Sequence, residues 1–244
     1  MEKRGELSTS QIVMIIILIV SFIVILYFFY RLNLGSTSSS EICHNSVILS
    51  SKSAGITGGL QCKTDYVCIS GGGKCANMNP TITITVDPTN ISQIMNALAT
   101  QSANCWYTFG EGKLNYGSKG IFGSSGCALC FIVEFDNTIL SENYKTTYAQ
   151  FYEYLNVLDK DNTQTYLHYL YGTYDLNNLL NQYPVLKYNQ NNSIISSAQY
   201  SISTGYNTGL AWGVFGSNGV MPVSYVTTDQ LSSQLKCSNF VTQA

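Results

Sequence analysis

Charge is what this chain lacks most. Asp, Glu, Lys and Arg make up 11% of its 244 residues, where soluble domains carry about 25%. Beyond residue 31 it has nine lysines, no arginine and twelve carboxylates, with no basic run among them. Nucleic acid and anionic lipid heads both demand clustered Lys and Arg, so neither is an expected partner. A surface solvated by amides and hydroxyls titrates little, which suits an acidic exterior. Histidine is scarcer still, with His44 and His168 far apart and in no His-x-x-x-His spacing. Zinc needs three or four converging ligands, so no metal or other cofactor is expected.

Groups for catalysis are equally sparse. Glu134 and Asp136 lie two apart, and Glu111 sits in Gly-Glu-Gly. A glycosidase needs two carboxyls facing each other across a cleft, and this spacing alone does not supply them. The run Asp159-Lys160-Asp161-Asn162-Thr163 begins like a calcium loop. It then has Gln164 where the sharp-turn Gly belongs and Leu170 where the bidentate Glu belongs, so the match fails. Ser233 and Lys236 have Ser-x-x-Lys spacing without companion motifs. The chain has no internal repeat and no long low-complexity segment.

What is present begins with residues 12–30, IVMIIILIVSFIVILYFFY, nineteen residues without a charge. A helix of that length spans roughly 28 Å, the thickness of a bilayer's hydrocarbon core. Tyr27 and Tyr30 crowd one end, where amphipathic rings favour the headgroup layer, and Arg31 closes it. Residues 1–11 form the short N-terminal segment, and Lys3 and Arg4 there outnumber Arg31, favouring an N-terminus inside the cell. Residues 31–41 read as a Gly/Ser tether, and residues 42–244 as an extracellular domain. All eight cysteines (Cys43, Cys62, Cys68, Cys75, Cys105, Cys127, Cys130, Cys237) follow the span. An even number on one side fits an oxidising exterior. A cleaved secretory signal is the rival, but its apolar region is usually shorter.

The fold expected of the domain is α+β, an antiparallel sheet packed with helices and braced by disulfides. Residues 42–80 read as a strand-rich cysteine cluster, and 81–244 as the main core. Ser70-Gly71-Gly72-Gly73 reads as a hairpin loop that sets Cys68 opposite Cys75. Strict alternation at 81–86 predicts a strand. Residues 90–109 predict a helix capped by Asn90 or Thr89, with Ile91, Ile94, Met95, Leu98, Cys105, Trp106 and Phe109 on one face. Residues 127–135 predict a strand with Cys127 and Cys130 on opposite faces. Helices are expected at 146–158, 174–182 and 228–236, a turn at 159–162, and strands at 193–203, 210–215 and 220–226; 165–172 fits either class.

Cys127-Ala-Leu-Cys130 has the spacing of a thiol–disulfide redox pair, but it opens a strand and lacks the helix N-terminus that activates such a thiol. Structural bridges are expected instead. Segregation by half leaves nine pairings, of which 43–62, 68–75, 105–127 and 130–237 is preferred. Ten tyrosines lie between residues 144 and 188. Tyr offers a flat face and a polar tip at low entropy cost, so Tyr148, Tyr152, Tyr166, Tyr169 and Tyr171 are candidates for a binding face. The bland alternative is that they finish a half-wet core. Asn90-Ile-Ser92 and Asn191-Asn-Ser193 are glycosylation triplets, Asn191 being the freer.

Lys3-Arg4-Gly5-Glu6 followed by Leu7-Ser8-Thr9-Ser10 and the apolar run resembles the class III, prepilin-type leader of archaeal surface proteins. That resemblance implies cleavage between Gly5 and Glu6, with the helix kept on the mature subunit. Pilins carry an acidic residue where Ser10 stands, a departure that bears on filament assembly. The motifs at 62–69 (CKTDYVCI), 105–113 (CWYTFGEGK), 127–130 and 169–172 (YLYG) are similar to those of a family of exported single-pass proteins of small-genome archaea. The resemblance extends to about residue 215 and implies membrane anchoring and a disulfide-bearing outer domain, with no reaction attached. The expected function is therefore a non-enzymatic surface protein, structural or adhesive, meeting protein or glycan at a cell surface, self-association included. A pilin-like filament subunit and an extracellular oxidoreductase using Cys127 and Cys130 are the alternatives.

Overall fold

The computed structural model describes residues 9–31, 39–52, 60–116, 126–182, 186, 190–205, 209–215 and 239–240. The chain divides into two units, Met1–Ser38 and Ser39–Ala244. In the first, α1 (Thr9–Arg31) is one helix. Its window Ser10–Tyr27 has mean hydropathy 2.8 and buries none of its residues. Its one mid-helix polar group is satisfied locally, because Ser21 Oγ donates to the Ile17 carbonyl at 2.8 Å.

The second unit starts with a helix where strands were expected: α2 covers Ser39–Lys52. Its buried residues Cys43, Val47 and Ser50 recur at helical spacing. That period is present in ICHNSVILS, but the short β-branched run masks it. Glu41 in the first turn and Lys52 in the last complement the helix dipole. The helix therefore begins inside the 31–41 stretch expected as a tether.

The sheet runs β2–β1–β3–β6–β7, with β8 (Asn239–Phe240) added on β3. β1 is Asp65–Ser70, β2 Ile82–Thr85, β3 Gly126–Phe135, β6 Gln199–Gly205 and β7 Gly209–Phe215. It is mixed, which corrects the all-antiparallel expectation. β1 pairs parallel with β2 (Cys68 with Thr83) and parallel with β3 (Val67 with Val133). Among the described strands of this sheet, β3–β6 and β6–β7 are the antiparallel pairs. The glycine run after β1 is thus no hairpin; it carries the chain back to start a parallel neighbour. A turn signal in sequence marks reversal but not where the next strand pairs. β3 is buried from Cys127 to Phe135, as a central strand covered on both faces must be.

Between β2 and β3 runs α3 (Ile91–Thr108), the main packing helix. Asn90 caps it, its Oδ1 accepting from Ser92 N at 3.1 Å and Gln93 N at 3.3 Å. Ile94, Met95, Leu98 and Cys105 are buried along the expected stripe, Phe109 is buried at its end, and Ile91 and Trp106 pack at its edges. α4 (Asn137–Ser141), absent from the sequence reading, follows β3 under an Asp136 cap. α5 (Tyr148–Val157) opens with a Thr147–Gln150 capping box. The turn at 159–162 is a small hairpin, β4 (Asp159–Asp161) with β5 (Gln164–Thr165). The ambiguous run becomes α6 (Tyr166–Tyr171), and α7 is Leu176–Gln182. The strand expected at 220–226 and the helix at 228–236 lie outside the described residues.

Cys43–Cys62 and Cys68–Cys75 bond as expected, with Cα atoms 4.6 Å and 5.9 Å apart. The third bridge is Cys105–Cys130, not Cys105–Cys127, and so also replaces Cys130–Cys237. The β3–β6 register shifts between Leu129 and Phe131. Cys130 is the extra residue there, so the unbroken alternation used to assign its side fails at that residue. Cys127 is disulfide-bonded as well, with a partner outside the described residues.

Non-reducing peptide mapping should therefore recover a Cys105–Cys130 linkage and no Cys105–Cys127 one. Replacing Cys105 and Cys130 together by Ala should lower stability by roughly 3 kcal/mol in the loop-entropy account, read as a fall in the urea midpoint.

Candidate functional site

The carboxylates Glu134 and Asp136 end β3 and are 2% and 1% exposed. Both turn into the segment that joins β1 to β2. Asp136 Oδ2 accepts from Ser70 Oγ at 2.8 Å, Gly71 N at 3.0 Å and Gly73 N at 2.7 Å. Its Oδ1 accepts from Thr138 Oγ1 at 2.6 Å and Ile139 N at 3.0 Å, capping α4. The glycines are needed because backbone N–H groups must touch the carboxylate. A Cβ at Gly73 would lie 2.8 Å from Asp136 Oδ2, and one at Gly71 2.5 Å from Thr138 Oγ1. Burial opposes ionisation of Asp136, but the bonds from Thr138, Ile139, Ser70 and Gly71 outweigh it and hold the pKa down to about 2. Glu134 Oε1 accepts from Ala76 N at 2.9 Å and Asn77 N at 3.1 Å, and Oε2 from Gln199 Nε2 at 2.9 Å. These acids are thus bound into the fold, and neither stands in a cleft opposite the other.

The tyrosine face divides. Tyr148, Tyr152 and Tyr171 are 1%, 0% and 4% exposed, so the bland reading holds for them. Tyr152 packs on Tyr148, Phe151 and Tyr171 with ring centroids 6.2–6.4 Å apart, and Tyr148 meets Tyr200 edge-on at 6.2 Å. The Tyr152 hydroxyl is buried with no hydrogen-bond partner among the described residues, and burial pushes its pKa up. The helical period of α5 explains the inward turn: Tyr148, Phe151, Tyr152 and Leu155 form its buried stripe. Tyr166 and Tyr169 remain half-buried at the surface.

The aromatic rings that do face outward escaped the sequence reading. Tyr107 is 49% exposed and stacks on His44 at 4.3 Å and 14°; Tyr174 is 53% exposed and stacks on His168 at 4.2 Å and 10°. Both histidines are thus half-buried rings held in stacks. His44 Nδ1 also lies 3.2 Å from the Thr108 carbonyl, and His168 Nδ1 the same distance from Gln164 Oε1. Beside the first stack, Tyr169 Oη donates to Glu111 Oε1 at 3.0 Å, and Lys113 Nζ lies 2.6 Å from Glu111 Oε2. The Lys113 bond holds the Glu111 pKa below its ordinary value against partial burial. Gly-Glu-Gly was the available signal for this cluster.

An open cleft of about 500 Å³ lies between α2, α3 and β3, walled by Cys43–Cys62, Cys105–Cys130, Phe109 and Phe131. Among the described residues no three His, Cys, Asp or Glu side chains gather as a metal ion would require. Cys127 and Cys130 do not pair with each other, which removes the dithiol read from their spacing. Asn90 is exposed but serves as a cap, and Asn191 is exposed next to the Thr147–Ser193 bridge. Gly5, Glu6 and Cys237 lie outside the described residues. Comparison with family models, curated proteins and solved structures returns no match for this chain.

Asp136→Ala strands five donors and should destabilise by about 3–5 kcal/mol, read from urea midpoints at pH 7. Because the folded pKa of Asp136 lies below the unfolded value, its contribution is complete above about pH 4 and is lost as pH falls through about 2. The wild-type urea midpoint should hold from pH 7 to about 4 and drop below that, with a shallower acid slope in Asp136→Asn. Tyr152→Phe removes only an unsatisfied hydroxyl and should leave the thermal midpoint unchanged or raise it, by up to about 1 kcal/mol of stability.

Proposed function

We propose that this chain is a single-pass surface protein whose disulfide-braced domain works outside the cell by contact rather than turnover. The observation that carries the reading is α1, whose apolar side chains from Ile12 to Tyr27 stand 45–72% exposed. Leaving so long an apolar helix in water is costly, and a bilayer removes that cost. Cysteines bonded as Cys43–Cys62, Cys68–Cys75 and Cys105–Cys130 suit an oxidising exterior rather than a reducing cytosol. The contact role is supported by where the acids go. Glu134 and Asp136, the paired carboxylates best suited to acid–base work, are engaged by backbone N–H groups of residues 71–77. Lys52 ends α2, while Lys63 and Lys113 lie in separate connecting segments, which argues for a partner recognised by shape and hydrogen bonds.

The full chain should stay in the membrane pellet through an alkaline wash, and protease added to intact cells should reach the domain. Thiol-reactive labelling of the unreduced protein should find no free cysteine among the six paired above. Recovery in the soluble fraction, or labelled Cys105 and Cys130, would sink the reading.

A further inference from the structure

Beyond the end of α3 three residues in a row, Gly110, Glu111 and Gly112, take φ values of 78°, 56° and 70°. Glycine adopts that left-handed backbone freely, whereas a side chain there crowds the carbonyl that follows it. The two glycines are also sterically required, since a Cβ would run into Leu114 at one and lie 2.7 Å from Trp106 Cη2 at the other. Glu111 between them is the anomaly. Gly110 N bonds to the Tyr107 carbonyl at 3.0 Å, and Glu111 N to the Trp106 carbonyl at 2.8 Å. A third glycine would close the helix by the same bonds with less strain, so the backbone alone does not call for a glutamate. Backbone strain of this kind concentrates where a side chain must be presented in one place.

What it presents is a carboxylate fixed on two sides and still short of its full set of donors. Among the described residues each oxygen accepts one bond, from Tyr169 Oη and from Lys113 Nζ, while a carboxylate has about four acceptor sites. Next to it Tyr107 lies flat against His44 and is half exposed. His44 is itself tied to the Thr108 carbonyl, so the platform is held from behind. His44 and Glu111 lie within Coulombic reach of each other, as do Tyr107 and Tyr169.

We propose that this patch is a binding site for a neutral pyranose, with Tyr107 stacked under the ring's apolar face, Glu111 accepting from its hydroxyls and Lys113 donating to them. A flat, half-exposed aromatic ring suits the C–H face of a sugar better than a flexible side chain. Adjacent hydroxyls both donate and accept, which a carboxylate and an ammonium side by side can answer together. The two charges sit 2.6 Å apart and largely cancel at a distance, so the site offers little to select an ion of either sign. The inference gives the contact role proposed above a ligand class, and rests on it only for where a glycan would be met.

The test uses the purified full chain in detergent, titrated with methyl β-D-galactopyranoside and cellobiose by saturation-transfer NMR and calorimetry. Binding of at least one sugar near 1 mM, about −4 kcal/mol, is expected for a single-ring site. Tyr107→Leu keeps apolar bulk without a flat ring and should weaken binding about tenfold or more, while Tyr107→Phe should bind within about twofold of wild type. Glu111→Gly separates function from scaffold: binding should fall by tenfold or more, with the thermal midpoint unchanged or raised because glycine relieves the left-handed strain. The proposal is overturned if neither sugar binds the wild-type chain, or if Tyr107→Leu binds as well as wild type. A Glu111→Gly variant that melts earlier yet binds normally would make Glu111 a structural tie and overturn it too. None of these readings depends on membrane topology, so failure here and failure of surface exposure are told apart.

Discussion

The sheet depends on two buried acids. β1 and β2 run side by side in the same direction, and the chain between them returns without a helix to cover it. Such a return leaves backbone N–H groups with no ladder partner, and water is excluded from part of it. Asp136 and Glu134 take up those groups directly, four of them between Gly71 and Asn77. Charged acceptors make the strongest such bonds, and here they also offset the desolvation of the acids themselves. The Cys68–Cys75 bridge closes the same segment covalently.

Tyrosine does in the interior what charge leaves undone at the surface. Beside the buried Ile139, Leu155, Leu167 and Leu170, the side chains of Tyr148, Phe151, Tyr152, Tyr171 and Tyr200 pack as one aromatic cluster. Tyr144 and Tyr154 reach across to α3's start, donating to the Pro88 and Ser92 carbonyls at 2.8 Å and 3.1 Å. Rings that pack by their faces and hold by their tips tie helices to one another without ion pairs. The patch around Tyr107 and Glu111 follows the same logic, with the Tyr107 face on His44 and the Tyr169 tip on Glu111.

The bridges divide the labour differently from their spacing. Cys43–Cys62 fastens α2 to the segment leading into β1, and Cys105–Cys130 fastens α3 to β3. Each joins a helix to the sheet side of the fold. Cys127 belongs to a separate bridge, so three neighbouring half-cystines serve two different ties.

Read alone, the chain determined whatever depends on local pattern. The apolar run of α1, the stripe and Asn90 cap of α3, the alternation of β2, and the short-range Cys68–Cys75 pair all follow from residues within one or two turns of each other. Tertiary structure decided the rest. Sheet direction turned on where β2 docks, which the glycine run does not encode. The Cys105–Cys130 choice turned on one extra residue in β3, set by pairing with β6. Whether a tyrosine faces in or out depended on which side of α5 or α6 meets the sheet and its neighbours. Glu111 was legible only as Gly-Glu-Gly; its place beside Tyr107 and Tyr169 came from α6 packing on α3. Short-range signals survive in sequence because their partners are covalently near, while side-chain destinations are set by surfaces that exist only once the chain has folded.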